Sequence, residues 1–193
     1  MRPFLGLSVV ALVIAGLVHA AVVQEKQPAG GQDAPAMVQP TKFHGYLKAQ
    51  VGTWDATVKM MMPGAPPSED HAVATNTMIG DLWLVEDFKG SFGGMPFSGR
   101  GITGYDSHKN KYVGTWVDSM VDYLIVVEGT ADATGKVRTI TYEAPSQTGP
   151  GMEKHRDVTE LKDNDTILLS MYTTGADGKE AMTMQITYKR RKA

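Results

Sequence analysis

The chain contains no cysteine. Disulfide staples and lipid attachment through a thiol are therefore excluded, and stability has to come from a packed core. No G-x-S-x-G elbow, glycine-rich phosphate loop after a strand or H-E-x-x-H pair is present, so the common hydrolase, nucleotide and zincin signatures are missing. Basic residues form no block except Lys189 to Lys192 at the extreme end, which argues against nucleic acid as a partner. Beyond residue 20 no apolar run approaches the roughly 20 residues a membrane helix needs.

The first 20 residues read as a signal peptide. Arg2 supplies the positive end, Phe4 to Val18 is almost wholly apolar, and Val18-His19-Ala20 places small residues where a signal peptidase reads. Removal of this leader implies an exported protein, periplasmic or extracellular, with no stable membrane insertion. Of the 19 basic and 21 acidic side chains only Arg2 lies in the leader, so what remains is close to charge-balanced. Residues 21–40, rich in Gln, Pro, Ala and Gly, read as a flexible linker. Residues 41–193 are left as one domain with bulk enough for a sizeable core.

Within that domain Phe43, Tyr46 and Leu47 suit a short amphipathic helix over 42–50. Everything after it alternates with period two. Ten strands are expected, near 53–62, 70–79, 82–90, 97–105, 111–118, 121–130, 136–143, 153–162, 165–173 and 180–190. Turn chemistry separates them at Pro63-Gly64, Ser107 to Asn110, Asp132 to Gly135, Asp163-Asn164 and Asp177-Gly178. The glycines of Gly90 to Pro96 predict a mobile flap. Ten consecutive short strands admit a sandwich or a closed antiparallel meander barrel.

The first and last strands favour closure. Paired antiparallel residues have a constant number sum. Setting Trp54 opposite Arg190 then puts Ala56 on Tyr188, Val58 on Ile186, Met60 on Met184 and Met62 on Met182, inward against inward. Gly52-Thr53-Trp54 at the start and Arg190 at the end resemble the calycin barrels (lipocalins and fatty-acid-binding proteins). That resemblance implies a tryptophan at the barrel floor covered by an arginine of the last strand, with Gly52, Trp54 and Arg190 as structural residues.

More widely, Gly52-Thr53-Trp54, Pro96 to Gly101, Gly104-Tyr105-Asp106, Lys111-Tyr112-Val113 and Trp116 to Ser119 are similar to the bacterial domain-of-unknown-function family 1579. The resemblance spans about His44 to Arg190. It implies an all-β, calycin-like barrel, often exported, and no established activity, cofactor or catalytic residue.

Candidate chemistry lies on the inward faces. Trp54, Glu86, Arg100, Tyr105, Trp116, Asp118, Tyr123, Glu143 and Tyr188 are the candidate pocket lining, with Gly99, Gly101 and Gly114 leaving room in the lumen. Arg100 has the parity opposite to Gly99 and Gly101, so an outer position is equally open to it. The expected ligand is a small, largely apolar molecule, the protein being monomeric or dimeric. A fully packed envelope scaffold is the alternative. A second alternative is an enzyme using Asp118 as general base beside Tyr105 and Tyr123. A third is a copper site of Met60, Met62, Met182 and Met184, residues that serve equally well as apolar lining. No catalytic residue and no cofactor is assigned.

Overall fold

The computed structural model describes residues 37–61, 66–146, 149–175 and 177–192. The expected leader, most of the expected linker and Met62 lie outside the described residues. The chain forms one helix and ten strands: α1 (Lys42–Lys48), β1 (Gly52–Met60), β2 (Ser68–Ile79), β3 (Trp83–Phe92), β4 (Met95–Asp106), β5 (Lys111–Asp118), β6 (Ile125–Ala131), β7 (Val137–Pro145), β8 (Met152–Asp163), β9 (Thr166–Thr174) and β10 (Glu180–Arg190). Each strand pairs antiparallel with its chain neighbour, and β1 pairs with β10, closing the barrel. Among the described residues no helix is long and apolar enough to cross a membrane.

Helix α1 starts at a capping box. The Thr41 hydroxyl accepts from Phe43 N, and His44 Nδ1 accepts from Thr41 N. It ends two residues before the expected position because the barrel takes up the following carbonyls. Arg190 donates to Ala49 O and Val51 O, while Trp54 Nε1 and Asn76 Nδ2 both donate to Gln50 O. Below it Tyr46, Leu47, Leu84 and Tyr112 pack as one buried cluster, with the Tyr112 hydroxyl donating to Phe43 O at 2.9 Å. One end of the barrel is thereby plugged.

The constant-sum register holds from Trp54↔Arg190 to Met60↔Met184. The Arg190 guanidinium carbon sits 4.0 Å from the Trp54 ring, a cation–π contact over a buried indole. Gly52 is fixed by the same arrangement. Its φ is +131°, and a Cβ there would meet Arg190 Nη1 at 2.6 Å.

Three expectations need correction. At the far end of β10 the pairing with β9 shifts: Met182 pairs with Tyr172 and Met184 with the adjacent Met171, so Thr183 is an inserted bulge residue, while the register with β1 runs on to Met61 N donating to Thr183 O. Met182 is thereby turned to the outer face, where Gln185 Nε2 reaches its sulfur. A single inward cluster of Met60, Met182 and Met184 does not exist.

Strand β6 begins at Ile125, not near 121, because Asp118 Oδ1 accepts from Met120 N and closes a turn at the end of β5. The glycine-rich flap, finally, is a two-residue hairpin. Gly93 and Gly94 take φ of +57° and +77°, as the primed hairpin turns require, and the β3–β4 ladder runs through to Phe92↔Met95. Asp70 anchors it, accepting from Gly93 N at 2.8 Å and from the Ser91 hydroxyl at 3.1 Å.

The Gly93 amide holds the Asp70 carboxyl below its usual range. A depressed folded pKa stabilises above the unfolded value near 4 and stops doing so as pH falls through the folded one. Asp70→Ala should therefore speed amide exchange across 91–95 at neutral pH and leave the helix end unchanged. Wild type should approach that behaviour in acid. Equal exchange in the two proteins at pH 7 would show that Asp70 does not hold the hairpin.

Candidate ligand site in the barrel lumen

Inward positions follow from the ladder, since paired residues share a face. From Trp54, with 1% of its surface exposed, partners run through Ala74, Phe88 and Gly99 to Asp118. In the other direction Val58 leads through Ile186, Leu169 and Thr159 to Arg138. Met60 leads through Met184 and Met171 to Asp157 and then Ile140.

The lining is asymmetric. Toward β1, β2 and β3, Trp54, Ala56, Val58, Ala72, Ala74 and Phe88 are buried in close packing. Across from them Trp116, Ile125, Ile140, Tyr142, Leu169 and Met171 are only half-buried although they point inward. Two of the six, Trp116 and Leu169, pack against that cluster. With the helix end plugged, the surface the six keep is reached from the opposite mouth, on the β4–β9 side.

Glycines shape the wall differently from the sequence expectation. A Cβ at Gly99 would lie 2.2 Å from the Trp116 ring and one at Gly101 3.0 Å from it. The room they leave is occupied by the indole, which lies flat along β4. Its Nε1 donates to Asp118 Oδ2 at 2.9 Å. With Met120 N on its other oxygen, Asp118 is a positioning group for Trp116 and for the turn.

The candidate residues separate accordingly. Trp54, Glu86, Trp116, Asp118 and Tyr188 are inward. Tyr123 sits in the β5–β6 connection, near enough to Tyr142 for both it and Asp118 to act on that phenol. Tyr105 belongs to the plug, stacked 4.2 Å from Phe43. It is six residue steps along β4 from Gly99, the partner of Asp118, a distance of about 20 Å at 3.3 Å per residue. Asp118 and Tyr105 therefore do not form one catalytic site.

Arg100 is outside, held by two hydrogen bonds of 2.7 and 3.0 Å to Asp87. Glu143 is exposed, opposite the exposed Lys154. Each has the parity of the outer face, where its charge stays hydrated.

Besides Glu86 and Asp118, the lumen holds two charged groups outside the candidate set, Arg138 and Asp157. Arg138 and Asp157 are 8% and 7% exposed. Arg138 Nε, Arg138 Nη1 and Asp157 Oδ1 have no hydrogen-bond partner among the described residues. They sit diagonally across β7 and β8, Arg138 opposite Thr159 and Asp157 opposite Ile140. The Arg138 guanidinium carbon stands 5.8 Å from the Tyr112 ring.

Glu86 completes the group from β3, its Oε1 accepting from the Tyr188 hydroxyl at 3.4 Å. Burial raises the Glu86 carboxyl above the ordinary range, with Arg138 opposing. Burial likewise lifts Asp157 to about 7, against the pull of Arg138 and Arg156. The Tyr188 phenol is raised well above its usual value by burial and by Glu86. Nearer the mouth His155 stacks on Tyr142 at 4.8 Å and meets the Thr173 hydroxyl through Nδ1 at 3.2 Å. Burial lowers its pKa and favours neutral imidazole. Among the described residues no group of three or more His, Asp or Glu is arranged to hold a metal ion.

The model of the family described as "Protein of unknown function (DUF1579)" matches residues 39–190. The chain belongs to that family. Among solved structures, an S-type phycobiliprotein lyase, CPES from Guillardia theta, is 14% identical. The match covers 81% of this chain and 99% of that one, with a TM-score of 0.53. Rv2717c from M. tuberculosis is 13% identical over 80% of this chain and all of that one, with a TM-score of 0.58. At such identities the likeness shows a shared fold, the calycin-like barrel. No curated protein matches the chain.

Proposed function

We propose that this member of the family is an exported binding protein that takes a small molecule into the barrel through the mouth opposite α1. The observation that carries this reading is the half-buried inward wall of Trp116, Ile125, Ile140, Tyr142, Leu169 and Met171, facing a close-packed one. Binding sites of this kind are mostly apolar with a few placed polar groups, and Arg138, Asp157 and Glu86 supply those groups. A similar barrel in a phycobiliprotein lyase supports the reading at the level of fold. Export rests on the leader-like residues 1–20, with 21–40 as a tether to the domain.

Native mass spectrometry on protein purified from its own host tests both parts. The expected spectrum has a chain beginning at Ala21 and a second species heavier by one retained small molecule. A retained Met1 in a membrane fraction would overturn export. A single ligand-free species, together with failure of small amphipathic probes to change Trp116 fluorescence, would overturn lumen binding.

A further inference from the structure

We propose that Arg138 is the head-group anchor of the lumen and that the ligand is an amphipathic monoanion, an organic acid with one carboxylate and an apolar or aromatic body. The inference rests on the lumen-binding reading and adds to it the chemical class of the ligand.

The guanidinium is the starting point. It is buried on the inward face of β7, opposite Thr159, and its guanidinium carbon stands 5.8 Å from the Tyr112 ring across the lumen. Two of its donors are unsatisfied, and a buried donor without a partner is costly. Guanidinium presents its N–H groups as a planar fork that matches the two oxygens of a carboxylate.

Charge sets the valence. The two carboxyls that could neutralise Arg138 from within, Glu86 and Asp157, are pushed by burial toward the neutral acid. Arg138 is the one lysine or arginine among the buried residues described, so one carboxylate matches the cation and the second charge of a phosphate monoester would find no partner. A protonated Asp157 can also donate a hydrogen bond to the same oxyanion. The approach from the mouth is apolar and aromatic: Phe97, Trp116, Ile125, Leu169 and Met171 line the walls above the charged floor. A single anionic head with a greasy body fits this gradient. A uniformly polar sugar or an uncharged hydrocarbon does not.

The test compares acids with neutral isosteres of the same body: decanoate with decanamide, and 2-naphthoate with 2-naphthamide, by calorimetry at pH 6 on the chain from Ala21. At least one acid should bind about ten-fold or more tightly than its amide. Arg138→Met should bring that acid down to the level of the amide and leave the amide unchanged. Asp157→Asn, which keeps a donor, should retain most of the preference. Thermal melting checks that both variants fold.

Amides binding as well as acids in the wild type would overturn the monoanion proposal and leave lumen binding standing, as would a preference that survives Arg138→Met. Tighter binding of 2-naphthyl phosphate than of 2-naphthoate would overturn the single-charge argument. No binding of any probe would overturn this proposal together with the lumen reading.

Discussion

Trp54→Ala is expected to cost about 3–5 kcal/mol, the range for deleting a buried tryptophan from a core. The indole is 1% exposed and touches three separate parts of the fold. Its Nε1 bonds Gln50 O after the helix at 2.9 Å, its face carries Arg190 of the last strand, and its edge packs in the main core cluster. The loss should lower the melting temperature by roughly 6–20 °C for a domain of this size. Arg190→Lys keeps the charge but loses the fork that serves Ala49, Val51 and Asn164 together, so it should destabilise less than Trp54→Ala and more than an exposed substitution. Chemical unfolding of the three proteins decides. A Trp54→Ala loss under about 1 kcal/mol would mean that the barrel floor does not depend on this contact.

Closure of the barrel was legible because both ends of the chain carry period-two patterns that agree in only one register, and a one-residue slip would have faced Ala56 and Val58 against outward Lys189 and Thr187. The same reasoning explains the failure at Met182. A bulge adds a single residue, reverses every side chain beyond it, and has no periodic signature; Thr183 looks like any other strand residue. The link from Asp70 to the Gly93 turn has no sequence signature because a β2 side chain reaches a turn 23 residues away, so by composition the glycines signal flexibility alone.

The site was less legible than the fold. Asp157 shares its face with the polar His155 and Thr159 and has no signal of its own, but Arg138 has one in hindsight, since it shares parity with Ile140 and Tyr142. That parity puts a charge on an apolar face, a choice which ordinary burial preferences disfavour. Arg100 lies between the lumen-facing Gly99 and Gly101 and has the opposite parity. Its neighbour Asp87 across the ladder explains it without any ligand. In this barrel the informative charges are those whose position contradicts hydropathy, and their lack of partners is visible only in three dimensions.

Asp157 gives the second large effect, and its sign is the reverse of an ordinary acid's. Burial raises its folded pKa from the ordinary carboxylate range to about 7. The folded protein therefore holds a proton that the unfolded chain has already lost, and folding stability falls as pH rises from about 4 to 7, levelling above that. The full extent of the effect is roughly 4 kcal/mol. The groups facing the carboxyl divide the outcome between them. Arg138 and Arg156 pull the pKa down, but Arg156 is engaged outside with Glu180 at 2.5 Å and stacked on Tyr172. Tyr142 and Tyr188 are phenols held neutral, each raised in part by Asp157 itself, and Glu86 competes for the same guanidinium. Asp157→Asn keeps the shape and removes the proton. Its stability relative to wild type should rise steadily from pH 4 to 7 and stay flat above 8, read by chemical unfolding across that range. Arg138→Met, by removing the main opposing charge, should move the wild-type slope to higher pH. Parallel curves for wild type and Asp157→Asn would show that Asp157 is ionised and hydrated in the folded protein, and that the lumen floor is far wetter than its burial implies.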